Sequence, residues 1–177
     1  MNRCSLRYSP DDQAYVTGCL GRTPRGVVGV AARRPTGEPT VIINLPLQPK
    51  GKSWQPFPTL YWLVDAELNT AIAEIERKGG VRAIEKTVAN DTRLLAAHRR
   101  DNVFYAMARW AVLNHKERLA ANELGMSEML EHSGVGGVGN HDAIKCLHAQ
   151  YAFHLARRDT GTTVGQLMQE QFAMQPA

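Results

Sequence analysis

The chain has 177 residues and a mass of 19.6 kDa, is 44% hydrophobic and 21% charged, and so has the size of one globular domain and not of two. No apolar run approaches the roughly 20 residues of a membrane span, and residues 1–12 lack the apolar core of a secretory signal, so no membrane association and a cytoplasmic location are expected. The formal charge of +4 is unevenly placed: residues 1–60 hold 8 Lys and Arg against 3 Asp and Glu, while the remainder holds 13 against 14. The basic excess is therefore N-terminal, and composition excludes a disordered, collagenous or disulfide-built chain without identifying an activity.

From residue 21 to 62, short β-branched runs alternate with Gly and Pro. Val27-Val28-Gly29-Val30 and Thr40-Val41-Ile42-Ile43 read as strands about a turn, and Thr59-Leu60-Tyr61-Trp62-Leu63-Val64 reads as a third, giving an antiparallel sheet of about three strands. After Asp65 the period changes. Leu68, Ala71, Ile72 and Ile75 recur at helical spacing up to the stop at Gly79-Gly80, and Val81, Ile84 and Val88 suggest a second helix. Asp91-Thr92 offers a cap for a third helix from Arg93 toward Asn122, with Val103, Met107, Trp110 and Leu113 as its apolar face. Glu123 to His132 reads as a further helix or an extension. Four glycines between Gly134 and Gly139 then demand a loop. Asp142 to Arg158 reads as a helix with the stripe Ile144, Leu147, Tyr151 and Leu155, and Thr163 to Phe172 reads as a last short one.

Gly134, Gly136 and Gly139 match the Gly-x-Gly-x-x-Gly spacing of dinucleotide folds, but that fingerprint needs a preceding buried strand in a βαβ unit, and the preceding residues read as helix. A glycine-rich turn entering a helix still favours an anion through free backbone N–H groups, with Gly136 and Gly137 as donors. Lys145 is expected in the first turn of that helix, on one face with His141 and His148; the bland alternative is a simple chain reversal. A second anion-binding element is Gly21-Arg22-Thr23-Pro24-Arg25-Gly26, where a proline fixes two arginine forks. Arg33, Arg34, Lys50 and Lys52 extend it toward a basic surface able to draw in a nucleotide, a polyanion or RNA. Pro56 to Leu63 reads as sheet core, with Thr59 at the mouth of a pocket.

Cys4, Cys19 and Cys146 are too few and too scattered for a disulfide framework or a paired-cysteine zinc site. Cys146 and His148, two apart, would point to nearly opposite faces of a helix, which argues against a shared metal. They are the candidates for thiol or imidazole catalysis, beside a bland reading of Cys146 as a small buried hydrophobe.

Leu20-Gly21-Arg22-Thr23-Pro24-Arg25-Gly26, Pro56-Phe57-Pro58-Thr59-Leu60-Tyr61-Trp62-Leu63, Gly134-Val135-Gly136-Gly137 and Lys145-Cys146-Leu147-His148 together, in this order, resemble the bacterial domain-of-unknown-function family numbered five hundred and one, over about residues 20–167. The resemblance implies an intracellular bacterial protein with no assigned activity. Relatives carry cysteines in the stretch matching residues 33–37, which this chain lacks, so a metal site built from that stretch and the Lys-Cys-Leu-His motif would be incomplete here.

The expectation is an α+β single domain over residues 1–177, a small N-terminal antiparallel sheet (1–64) packed on a mainly helical body (65–177). The Arg22/Arg25 loop, Thr59, Gly136, Gly137, Lys145 and His148 are expected to bind a phosphorylated or carboxylated small molecule, with no metal or cofactor. The alternatives are a protein- or RNA-interaction module on the basic surface, with nucleic acid the less favoured partner, and a thiol enzyme using Cys146. Neither a reaction nor an oligomeric state follows from the residues.

Overall fold

Ser9 opens a helix that hydropathy does not announce. Its hydroxyl accepts from Asp12 N (3.1 Å) while the Asp12 carboxylate accepts from Ser9 N (2.9 Å), and Pro10 fills the first helical position of α1 (Pro10–Leu20). Only Asp12 and Val16 of α1 are buried, which is why its sequence lacks a helical stripe. The computed structural model describes residues 6–158 and 160–174; Cys4 lies outside them.

The three expected strands form one antiparallel sheet in the order β1 (Val27–Arg33), β2 (Pro39–Asn44), β5 (Tyr61–Leu63), with Val30 opposite Ile42 and Ile42 opposite Trp62. All six residues of β2 are buried because both faces of the central strand are covered. Ile42 packs with Val16, Tyr15 and Leu20 of α1, and Val41 and Ile43 pack into the helical body. A hairpin not anticipated from the sequence, β3 (Leu47–Lys50) and β4 (Ser53–Pro56), turns at Gly51 and forms a separate two-stranded sheet. The class is α+β, as expected.

The body contains α2 (Ala66–Arg77), α3 (Gly80–Ala89), α4 (Thr92–Val112), α5 (His115–Glu123), α6 (Ser127–His132), α7 (Leu147–Ala156) and α8 (Thr163–Phe172). The long helix expected from Arg93 toward Asn122 breaks at Leu113, because Asn114 and Glu117 form a second capping box that starts α5. The expected apolar face of α4 is also displaced. Val103 and Met107 are 47% and 60% exposed, while His98, Asn102, Tyr105 and Arg109 are buried. The inward face carries hydrogen-bonding side chains because α4 packs beside loops whose backbone groups have no ladder to join. Helix α7 packs on β5, with Tyr61 and Phe153 stacked at 5.7 Å and Tyr105 edge-on to Phe153 at 5.1 Å.

Candidate functional site

Three buried side chains of α4 hold two loops against each other. Tyr105 accepts from Leu60 N (2.7 Å) and donates to Pro58 O (3.3 Å), and Arg109 Nη1 donates to the same carbonyl (3.3 Å), so the Pro-Phe-Pro-Thr turn is anchored from below. Asn102 accepts from Val135 N (2.9 Å) and donates to His141 O (2.9 Å), anchoring both ends of the glycine segment. The remaining Arg109 donors reach the carbonyls of Met129, Leu130 and Ser133 at the end of α6. Asn102, Tyr105 and Arg109 are spaced i, i+3 and i+7, one helical face. That spacing is visible in the sequence, although reading for apolar residues alone passes over it.

Between the anchored loops lies a pocket of about 250 Å³ lined by Thr59, Tyr61, Trp62, Leu63, Gly136, Lys145, Cys146, His148 and Ala149. Thr59, Gly136, Lys145, Cys146 and His148, far apart in the chain, are thus brought together. Arg22 does not line the pocket; it is exposed, with its guanidinium 5.4 Å from the centre of the ring of Trp62, a lining residue, in a cation–π contact. Arg25 is exposed and does not line the pocket. Gly137 turns away, its α-carbon face against Pro58, and its N–H donates to Gly134 O (3.0 Å). It is therefore not the expected ligand donor, because the tight turn at Gly136 and Gly137, both with positive φ, consumes that amide.

The helix expected from Asp142 starts at Leu147. Cys146 occupies the capping position in extended conformation (φ −150°, ψ 120°), and Lys145 precedes it in the loop. The shared helical face expected for His141, Lys145 and His148 does not exist; His141 instead bonds His132 O (2.7 Å). The geometric objection to Cys146 and His148 meeting also fails, because only His148 is on the helix.

A residue not singled out in the sequence, Glu76 near the end of α2, lies behind the lining residues Cys146 and His148. Its Oε1 accepts from Leu147 N (2.6 Å), so the N-terminus of α7 is capped by a carboxylate from another helix. Its Oε2 lies 3.3 Å from His148 Nδ1, and His148 Nε2 donates to Asn69 O (3.1 Å). Donor atoms of Glu76, Cys146 and His148 all lie within 4.8 Å of one another. The hydrogen bond to the Cys146 sulfur, ahead of the Asn69 carbonyl and the Glu76 charge, outweighs burial and pushes His148 up to about 9. Glu76 sits in the run Glu74-Ile75-Glu76-Arg77-Lys78, which reads as a solvated face; no local signal marks it.

The expected basic surface is thinner than its composition. Arg33 makes a two-pronged pair with Asp12 (2.6 and 2.9 Å), and Arg34 pairs with Asp65 (2.7 Å) and Glu67 (3.0 Å). Among the described residues, no helix is long and apolar enough to cross a membrane.

A family model described as "Protein of unknown function (DUF501)" matches residues 30–170. No curated protein and no solved structure matches the chain.

Proposed function

The chain belongs to the DUF501 family of proteins of unknown function, so its role has to be argued from its own site, and we propose that the pocket between the Pro-Phe-Pro-Thr turn and the glycine loop binds a small phosphorylated or carboxylated molecule. The observation that carries this reading is the convergence of Lys145, Thr59 and Gly136 on one pocket with Trp62 as a wall. Lys145 supplies the charge, Thr59 a hydroxyl donor, and the positive-φ turn at Gly136 lets the ligand approach backbone. Arg22 lies outside the lining, over the ring of Trp62, and would meet only a ligand that extends past that side chain. The volume of about 250 Å³ suits a molecule of metabolite size and not a polymer. The ion pairing of Arg33 and Arg34 weighs the same way, since it removes two charges from the surface on which an RNA or a protein would have to dock.

Tryptophan fluorescence, to which Trp62 contributes, offers the test. Phosphate, pyrophosphate and citrate are titrated into the wild type, Lys145→Ala and Arg25→Ala. Saturable binding should weaken about 10- to 100-fold in Lys145→Ala, the value of one charge-assisted hydrogen bond, and should be unchanged in Arg25→Ala. If a folded Lys145→Ala binds all three probes as the wild type does, or the wild type binds none, the reading is wrong.

A further inference from the structure

We infer that Glu76, Cys146 and His148 form a three-ligand site for a divalent transition metal of the zinc type, opening into the pocket.

Two of the three ligands, His148 and Glu76, are aimed by a bond made through their other atom. His148 Nε2 lies 3.1 Å from the Asn69 carbonyl, which can only accept, so Nε2 carries the ring proton and Nδ1 is left as the donor nitrogen. A backbone carbonyl on the far nitrogen is the usual support of a metal-bound histidine. Glu76 Oε1 is held by Leu147 N at 2.6 Å, which leaves Oε2 facing Nδ1 at 3.3 Å. Cys146 is at the capping position of α7 but makes no capping bond, so its sulfur is not committed to the helix end. Zinc bonds of about 2.0–2.3 Å place tetrahedral ligand atoms roughly 3.3–3.8 Å apart. The 3.3 Å separation of Oε2 and Nδ1 already meets that, and the remaining pairs, all within 4.8 Å, need only small side-chain rotations.

Charge and ligand type fit the same ion. A carboxylate, a thiolate and a neutral imidazole sum to −2 and neutralise a dication, and mixed sulfur, nitrogen and oxygen donors suit zinc or cobalt better than magnesium or calcium. The arrangement is a poor nucleophile relay. A thiol, base and orienting carboxylate need the two ring nitrogens divided between thiol and carboxylate, whereas here Nε2 is spent on Asn69 and only Nδ1 faces the other two. Three protein ligands leave a coordination position open, the pattern of sites where metal meets substrate or water. Cys146 and His148 line the same pocket as Lys145 and Thr59.

The test uses Co²⁺ alone on the purified full chain, with no anionic probe, so its outcome is separate from the test of anion binding. One Co²⁺ per chain should bind with a thiolate-to-cobalt charge-transfer band. That band should disappear in Cys146→Ser and persist in Cys19→Ser, and cobalt affinity should fall at least tenfold in Glu76→Gln and in His148→Gln. Zinc should displace the cobalt and abolish the band. The wild-type spectrum decides the matter even if a variant fails to fold: folded wild type that takes up no cobalt, or binds it without the thiolate band, overturns the site, as does a band that survives in Cys146→Ser.

Discussion

Arg109 is fully buried, and among the described residues its guanidinium donates to backbone carbonyls and the Ser133 hydroxyl rather than to a carboxylate. The guanidinium is stabilised by the carbonyl end of α6 and by the Tyr105 ring, 5.6 Å from it. Truncation would leave the carbonyls of Pro58, Met129, Leu130 and Ser133 without this donor in a buried place, at about 1–3 kcal/mol for each that finds no other partner. Arg109→Met is therefore expected to cost about 3 kcal/mol or more, read as a lower urea midpoint. Arg109→Lys should recover only part of it, because one ammonium cannot span the positions that the fork reaches. A midpoint within about 0.5 kcal/mol of wild type in Arg109→Met would show that the carbonyls do not depend on it.

At the scale of elements, two glycines in helices have opposite roles. Gly165 lies in the first turn of α8 where it crosses α7, and a Cβ there would overlap the His154 ring at Cγ. His154 cannot easily retreat, since its ring stacks on Tyr151 and its Nδ1 accepts from Thr162 N (3.0 Å). Gly18 in α1 has nothing within 4 Å of its Cβ position. Gly165→Ala should destabilise by about 1–3 kcal/mol through overpacking, and Gly18→Ala should stabilise by roughly 0.5–1 kcal/mol through helix propensity; thermal melts of the two variants should move in opposite directions. The elements that were legible in the sequence, β1, β2, β5, α2, α3 and α8, share an apolar period bounded by Gly, Pro or Asp. Those that were not have a physical reason. Helix α1 buries too little to show a period, α4 turns polar side chains inward, and α7 starts five residues late because Glu76, remote in sequence, caps it at Leu147. The candidate site divides likewise. Lys145, Cys146, His148, Thr59 and Gly136 stand in recognisable short motifs, whereas Glu76 acquires its place only when α2 meets α7.

For the whole molecule, the paired charges and buried imidazoles set how stability follows pH. Burial holds His98 and His154 below their ordinary value, so as pH falls below about 6.5 the unfolded chain takes up protons that the fold resists, and stability declines. Lower still, the hydrogen bond from Arg33 holds Asp12 at about 2, and its contribution is lost as pH falls from the ordinary aspartate range through that value. His148 acts on the other side. Its folded value is raised to about 9, so its contribution is complete below the unfolded value near 6.5 and is lost as pH rises through about 9. With chelator present, urea midpoints should peak between about pH 6 and 7, and His148→Gln should flatten the alkaline side while leaving the acid side. A wild-type midpoint constant from pH 5 to 9 would contradict the assignments of His98, His154 and His148. The same pairing accounts for the fate of the N-terminal basic excess: Arg33 and Arg34 tie the end of β1 to α1 and to the start of α2, so part of the charge that suggests a partner in the sequence is used within the fold.

The hydrogen bonds from α4 to the two loops also bear on motion. Leu60 N and Val135 N, next in the chain to the lining residues Thr59 and Gly136, donate to Tyr105 and Asn102, side chains of the same buried helix face. Such amides exchange with solvent only when that face opens, so the walls share the protection of the core and do not fluctuate as independent surface loops. The cavity is accordingly held in shape before any guest arrives, and little ordering entropy is left for binding to consume.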